Sequence, residues 1–169
     1  MTWLPRRACF LGLWLLAAAW SPAARAEVLG QISSVAIGSA PVRIVLTDGP
    51  ALAIRVRALP AGHKLFLVIR RLHAASPPGV LYNLFLDLDA GAALPADGDP
   101  RTLGTINFFA AVPPGGDVAA VSFDITQNLR AVAAKGGLTR GMPVTIVPME
   151  TPAPGAGTVL GSVELVAEH

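Results

Sequence analysis

The chain has 169 residues, 53% of them hydrophobic and 14% charged, with thirteen Lys or Arg against eleven Asp or Glu. Its one cysteine, Cys9, and all three tryptophans (Trp3, Trp14, Trp20) fall in the first 20 residues. A chain freed of that segment has no thiol, which excludes disulfides, thiolate catalysis and cysteine-ligated metal centres. Arg6 and Arg7 give the segment a positive start, Ala8 to Trp20 an apolar run, and Ala24-Arg25-Ala26 a small-x-small ending. This is the three-part layout of a secretory signal peptide, with cleavage expected after Ala26. The apolar run is shorter than the roughly 20 residues of a membrane span, and no later run is longer. No stable membrane insertion is therefore expected after cleavage. Residues 27–169 then form a single domain of 143 residues, exported to the periplasm or the medium. Without Arg6, Arg7 and Arg25, ten basic residues face eleven acidic ones, so no basic surplus remains for a nucleic-acid partner.

Along residues 27–169, short apolar runs alternate with Pro/Gly/Asp breakers, the rhythm of an all-β fold. Residues 28–37 read as one weak strand, followed by Val42 to Leu46. Ala53 to Arg57 alternates, with Ile54 and Val56 on one face and Arg55 and Arg57 on the other, as in a half-exposed strand. Lys64 to Leu72 contains Leu65-Phe66-Leu67-Val68-Ile69, apolar on both faces and suited to the middle of a sheet. Further strands are expected at Val80 to Leu88, Thr102 to Phe109, Ala119 to Ile125, Val144 to Val147 and Val159 to Val166. The breakers include Asp48-Gly49-Pro50, Pro60-Ala61-Gly62 and Pro113-Pro114-Gly115-Gly116. One segment departs from this rhythm. Leu129, Val132 and Ala133 have helical spacing, Asp124 or Thr126 suits a cap, and Gly136 suits a left-handed end. The expected architecture is an antiparallel β-sandwich of about 7–9 strands with one short helix, at about residues 127–134.

Chemistry-bearing residues are sparse. Histidines occur only at His63, His73 and His169, and no two have the i, i+4 spacing that brings imidazoles to one ion on a helix. His63 and His73, with Met142 and Met149, are the candidate copper ligands. The commoner place for such histidines is an exposed turn, and for such methionines the core. Asp87, Asp89, Asp97 and Asp99 lie in a Gly-containing stretch and are the candidate calcium ligands. Their spacing is not that of an EF-hand, and aspartate also serves as a turn former and edge guard. No Gly-x-Ser-x-Gly, Walker or G-x-G-x-x-G pattern occurs. By elimination, the reading is a domain with no cofactor and no chemistry of its own.

The order of three segments carries a resemblance. Tyr82-Asn83-Leu84-Phe85-Leu86-Asp87-Leu88 precedes Leu103-Gly104-Thr105-Ile106-Asn107-Phe108-Phe109, and Ser122-Phe123-Asp124-Ile125-Thr126 follows. From about Pro41 onward, the chain resembles the C-terminal domain of bacterial tyrosinases and plant polyphenol oxidases, the β-rich module after the dicopper domain. The resemblance implies a β-sandwich that packs over the mouth of the dicopper site and keeps the oxidase latent, sometimes by inserting a side chain into the substrate pocket. It does not bring oxidase activity with it, because that site takes three histidines per copper on a helical bundle. The function it implies is an exported, non-catalytic accessory or shielding domain for a tyrosinase-like copper oxidase, in latency or copper loading. A free-standing binding or structural module of the envelope is the alternative, and a copper carrier a third.

Phe66, Tyr82, Phe108 and Phe109 are the candidate partner-facing residues, although the usual role of strand aromatics is in the core. Adjacent Phe108 and Phe109 in one regular strand face opposite ways, so one of them points outward. An apolar working face is expected on one sheet carrying both Leu65 to Ile69 and Thr102 to Phe109. The exported protein is expected to begin at Glu27. Intact-mass measurement on protein from the periplasm or medium checks this, and a retained N-terminal segment contradicts it.

Overall fold

The short apolar runs pair into two antiparallel sheets whose facing sides supply the core. A computed structural model describes residues 26–46, 51–89, 91–112, 118–138 and 141–168. The expected signal peptide, the breakers at Asp48-Gly49-Pro50 and Pro113-Pro114-Gly115-Gly116, and His169 lie outside the described residues, apart from Ala26. In chain order the elements are β1 (Ala26–Ile37), β2 (Val42–Val45), α1 (Ala51–Ala58), β3 (Lys64–His73) and β4 (Tyr82–Leu86). They continue with β5 (Thr102–Ile106), β6 (Val118–Asp124), α2 (Thr126–Ala134), β7 (Pro143–Pro148) and β8 (Thr158–Glu168). One sheet has the order β1-β8-β3-β6, the other β2-β7-β4-β5. Every pairing is antiparallel. The fold is the expected all-β sandwich. Leu65, Leu67 and Ile69 of β3 and Val163 and Leu165 of β8 face Leu84, Leu86, Val144 and Ile146 across the interior, all enclosed.

One expected strand is a helix. Residues 53–57 form the body of α1, in which Leu52, Ala53 and Val56 are buried and Ile54 is 65% exposed. Burial at i, i+1 and i+4 is the stripe of a helix lying on a core. Five alternating residues are too few to separate the two periods, and the buried Leu52 and Ala53 break the alternation. Arg55 and Arg57 sit in the last turn, where positive charge suits the helix dipole. Arg57 Nη2 donates to the Ala133 carbonyl at 2.6 Å, tying α1 to the end of α2.

Helix α2 crosses from β6 in one sheet to β7 in the other, as expected. Ile125 occupies the cap position without a side-chain bond, and the Thr126 amide donates to Asp124 Oδ1 at 3.1 Å. At the far end, Gly136 takes φ 83°, Gly137 N donates to Val132 O and Gly136 N to Ala133 O. This pair of bonds is the Schellman motif, and it satisfies two of the helix's otherwise orphaned carbonyls.

A line of irregularities crosses three strands of the first sheet at one level. Ser34 of β1 (φ 55°) and Arg71 of β3 (φ 53°) are left-handed, and Gly161 of β8 stands between them in register. Inward-facing positions there step by three residues instead of two: Ile32 to Val35, Ile69 to Leu72, and Val163 to Leu160. All three strands shift phase together, so the core stays apolar on both sides of the line. Only glycine fits at the centre, because an added Cβ at position 161 would lie 2.7 Å from Arg71 Cβ.

Gly161→Ala is therefore expected to destabilise the fold by about 1–3 kcal/mol, the usual cost of overpacking. Gly38→Ala, where a Cβ meets nothing within 4 Å, is expected to stay within about 0.5 kcal/mol of the parent. Urea unfolding midpoints at unchanged slope measure both.

Candidate functional site

The aromatic residues singled out by the sequence divide sharply. Tyr82 is fully buried, and its hydroxyl lies 3.4 Å from Thr158 Oγ1, which itself donates to the Ile37 carbonyl at 2.6 Å. Because the threonine proton is committed to Ile37, Tyr82 is the donor. The relay joins β4 of one sheet to β8 and β1 of the other. A buried hydroxyl left unpaired costs about 1–3 kcal/mol, so the relay also removes a penalty. Phe108 packs edge-on against Tyr82, with ring centroids 5.6 Å apart at 75°, and is 1% exposed. Tyr82 and Phe108 are thus cross-sheet core pins and present nothing to a partner.

Phe109 is the opposite case. Strand β5 ends at Ile106, so Phe108 and Phe109 do not belong to it and their divergence is not strand alternation. They sit in a turn in which Phe109 N donates to Asn107 Oδ1 at 3.3 Å and Ala111 N to Phe108 O at 3.1 Å. Ala74 N then donates to Ala111 O at 3.0 Å, anchoring the turn to the end of β3. Phe109 projects outward with 72% of its surface exposed. Leu81 and Met149, also exposed, lie at the same end of that sheet and are joined by a Met149 N to Leu81 O bond of 2.9 Å.

The expected single apolar face does not exist, because β3 and β5 belong to different sheets. Leu65 to Ile69 is apolar on both faces because β3 is an inner strand, flanked by β8 and β6, whose side chains shield Val68. Phe66 is half-buried on the outer face, with Lys64 Nζ 5.9 Å from its ring centroid. The sheets meet edge to edge where the Phe123 ring of β6 fills the space a Gly104 side chain would take.

The Phe123-Asp124-Ile125-Thr126 segment is a joint. Thr126 Oγ1 accepts from Leu65 N at 2.9 Å and donates to Asp124 Oδ1 at 2.6 Å, while Ile125 N donates to Leu65 O at 2.9 Å. Lys64 Nζ lies 3.0 Å from Asp124 Oδ2. The Thr126 bond, helped by Lys64 and opposed by partial burial, holds the Asp124 carboxyl below its ordinary range.

Three of the four candidate calcium aspartates are held by two arginines. Arg43 bonds Asp87 at 3.1 Å and Asp89 at 2.5 Å. Asp99 accepts from the side chain and the backbone amide of Arg101, which lowers its pKa to about 2. Asp97 is exposed in the preceding turn. The candidate copper histidines stand at the two ends of β3, about 30 Å apart at roughly 3.3 Å per residue, so one ion cannot bind both. Met142 is core and Met149 is exposed.

Misreading α1 as a strand also concealed a feature beneath it. Leu29, Leu52, Val56, Leu59, Leu65 and Ala167 line a groove of about 230 Å³, with Glu27, Arg55 and His63 at its mouth.

No protein-family model matches this chain, and no curated protein sequence does. Among solved structures, the fold is similar to that of latent aurone synthase, a polyphenol oxidase, in its recombinant and natural-source forms. Both give a TM-score of 0.50 at 14% identity, covering 79% and 77% of this chain and 25% of the oxidase. Latent apple tyrosinase aligns with a TM-score of 0.46 at 12% identity, over 86% of this chain and 27% of that one. The likeness is one of fold. This chain spans about a quarter of the length of these oxidases.

The lowered Asp124 pKa predicts a pH dependence. Its contribution is fully present above the ordinary carboxylate range near 3.9 and is lost as pH falls through the lower folded-state value. Thr126→Val removes the main cause. It is expected to cost about 1–2 kcal/mol at neutral pH and to flatten the loss of stability as pH falls through and below the ordinary carboxylate range. Urea unfolding across that range measures this, and an unchanged slope would place the acid sensitivity elsewhere.

Proposed function

We propose that this chain is an exported, non-catalytic shielding subunit of a tyrosinase-like dicopper oxidase. The carrying observation is the similarity of its fold to about a quarter of a polyphenol oxidase described as latent. On this reading, that quarter is the β-rich module that follows the dicopper domain. The chain then acts in trans where the oxidase carries the module in cis. The mechanism is steric: the sandwich docks over the substrate entrance and excludes phenols. Phe109 is the contact residue of choice, because it is large, apolar and held outward by a hydrogen-bonded turn. Leu81 and Met149 at the same end extend the apolar surface. Burying one phenylalanine contributes about 1.5–3 kcal/mol, or roughly ten- to a hundredfold in affinity. Export to the periplasm or medium is part of this reading, supported by the N-terminal signal layout.

Mixing the exported protein with a tyrosinase-type oxidase from the same organism tests the reading. Quinone formation from catechol is expected to slow or to start after a longer lag, saturating near one-to-one. The protein alone, with copper added, is expected to form no quinone. Phe109→Ala is expected to raise the half-effective concentration at least about tenfold while leaving the thermal midpoint unchanged. Unaltered lag and rate at every ratio, with no complex on a sizing column, would sink the proposal.

A further inference from the structure

The groove beneath α1 lies away from Phe109, and its chemistry is independent of any oxidase. Its floor is apolar, with Leu52, Val56, Leu65 and Ala167 each at most 4% exposed, and one side opens to solvent. Charge enters only at the mouth. There Arg55 Nη2 donates to both carboxylate oxygens of Glu27, at 3.0 and 3.1 Å, and the two side chains are 53% and 51% exposed. One nitrogen thus serves both oxygens. Among the described residues, no acceptor is bonded to Arg55 Nη1.

The volume narrows the choice of occupant. A dry apolar cavity of about 150 Å³ accepts benzene, whereas pockets for drug-sized ligands start at about 300 Å³. At about 230 Å³ the groove suits one ring with a short polar substituent. The guanidinium at the mouth selects an anion for that substituent, since bonds between two charged groups are stronger than neutral ones. We propose that this groove is a binding site for a single-ring aromatic carboxylate. The ring lies against Leu29, Val56, Leu59 and Leu65, and the carboxylate bonds to Arg55 in competition with Glu27.

Benzoate is the probe, titrated into the exported protein and followed by backbone amide shifts. Saturable shifts centred on Val56, Leu59, Leu65 and Ala167 are expected, with benzamide binding about tenfold more weakly. Arg55→Gln is expected to weaken benzoate about tenfold, and Val56→Phe, which fills the groove, to abolish saturation. Glu27→Gln removes the competitor and is expected to tighten benzoate severalfold. That variant keeps the test decisive even if Arg55→Gln does not fold. The proposal is overturned by shifts that do not saturate at tens of millimolar benzoate or that map elsewhere. Equal affinity for benzamide, or a Glu27→Gln affinity that is unchanged or weaker, overturns it as well.

Discussion

The phase of the first sheet depends on one absent side chain, that of Gly161. In a sandwich, a strand out of phase turns its apolar residues to solvent, since side chains alternate with a period of two. Arg71 interrupts the alternation of β3 midway, and the interruption is tolerated because β8 and β1 change phase at the same level. That concert needs the Arg71 side chain and the Arg70 carbonyl to crowd the place a residue-161 Cβ would take. The line therefore divides the sandwich into two halves. In one, Leu65, Ala167 and Glu27 stand beside α1 and its groove. In the other, Thr158 and Ile37 receive Tyr82, and Ala74 holds the turn that presents Phe109. The two surface features lie at opposite ends of the ten-residue strand β3.

The same line explains what the sequence concealed. The inward residues of β1 are Ile32, Val35 and Ile37, with Leu29 packed beside them at the bulge between Val28 and Gly30. Spacings of three, three and two match neither a strand nor a helix, so residues 28–37 read as weak although β1 is the longest strand described. Strands β3, β4, β7 and β8 were legible because each is dense in Val, Leu or Ile, which outweighs the change of phase within β3 and β8. Helix α2 was legible from its apolar stripe and the glycine after it. Helix α1 was not, because its alternating arginines, Arg55 and Arg57, imitate a strand, and only the neighbouring Leu52 reveals the true period. The candidate sites fared worse. Proximity in sequence did not gather the four aspartates, since Arg43, from a distant position, holds Asp87 and Asp89, while Asp99 turns to Arg101 two residues along.

The motifs that carried the resemblance are structural. Tyr82 pins the two sheets, Asp87 turns the chain at φ 52°, and Gly104 makes room for Phe123. Asp124 and Thr126 fasten the start of α2 to Leu65. Each is fixed by a buried bond, a backbone angle or a close approach, all of which constrain residue type far more than surface positions do. Such residues belong to the scaffold and say little about its use.

Use has to be read from residues the scaffold does not require. Phe109 contributes little to the fold, being 72% exposed, yet the turn beneath it is anchored by Asn107, Ala111 and Ala74. An apolar side chain on a floppy loop loses conformational entropy when it docks, and that loss offsets much of the area it buries. A side chain already fixed in direction loses less, so more of the burial energy appears as affinity. The Tyr82–Phe108 contact matters for the same reason. By drawing Phe108 into the core, it fixes the direction in which the next residue leaves the turn. The core and the exposed phenylalanine are thus linked: the edge-on packing of one aromatic ring determines how firmly its neighbour is held outward.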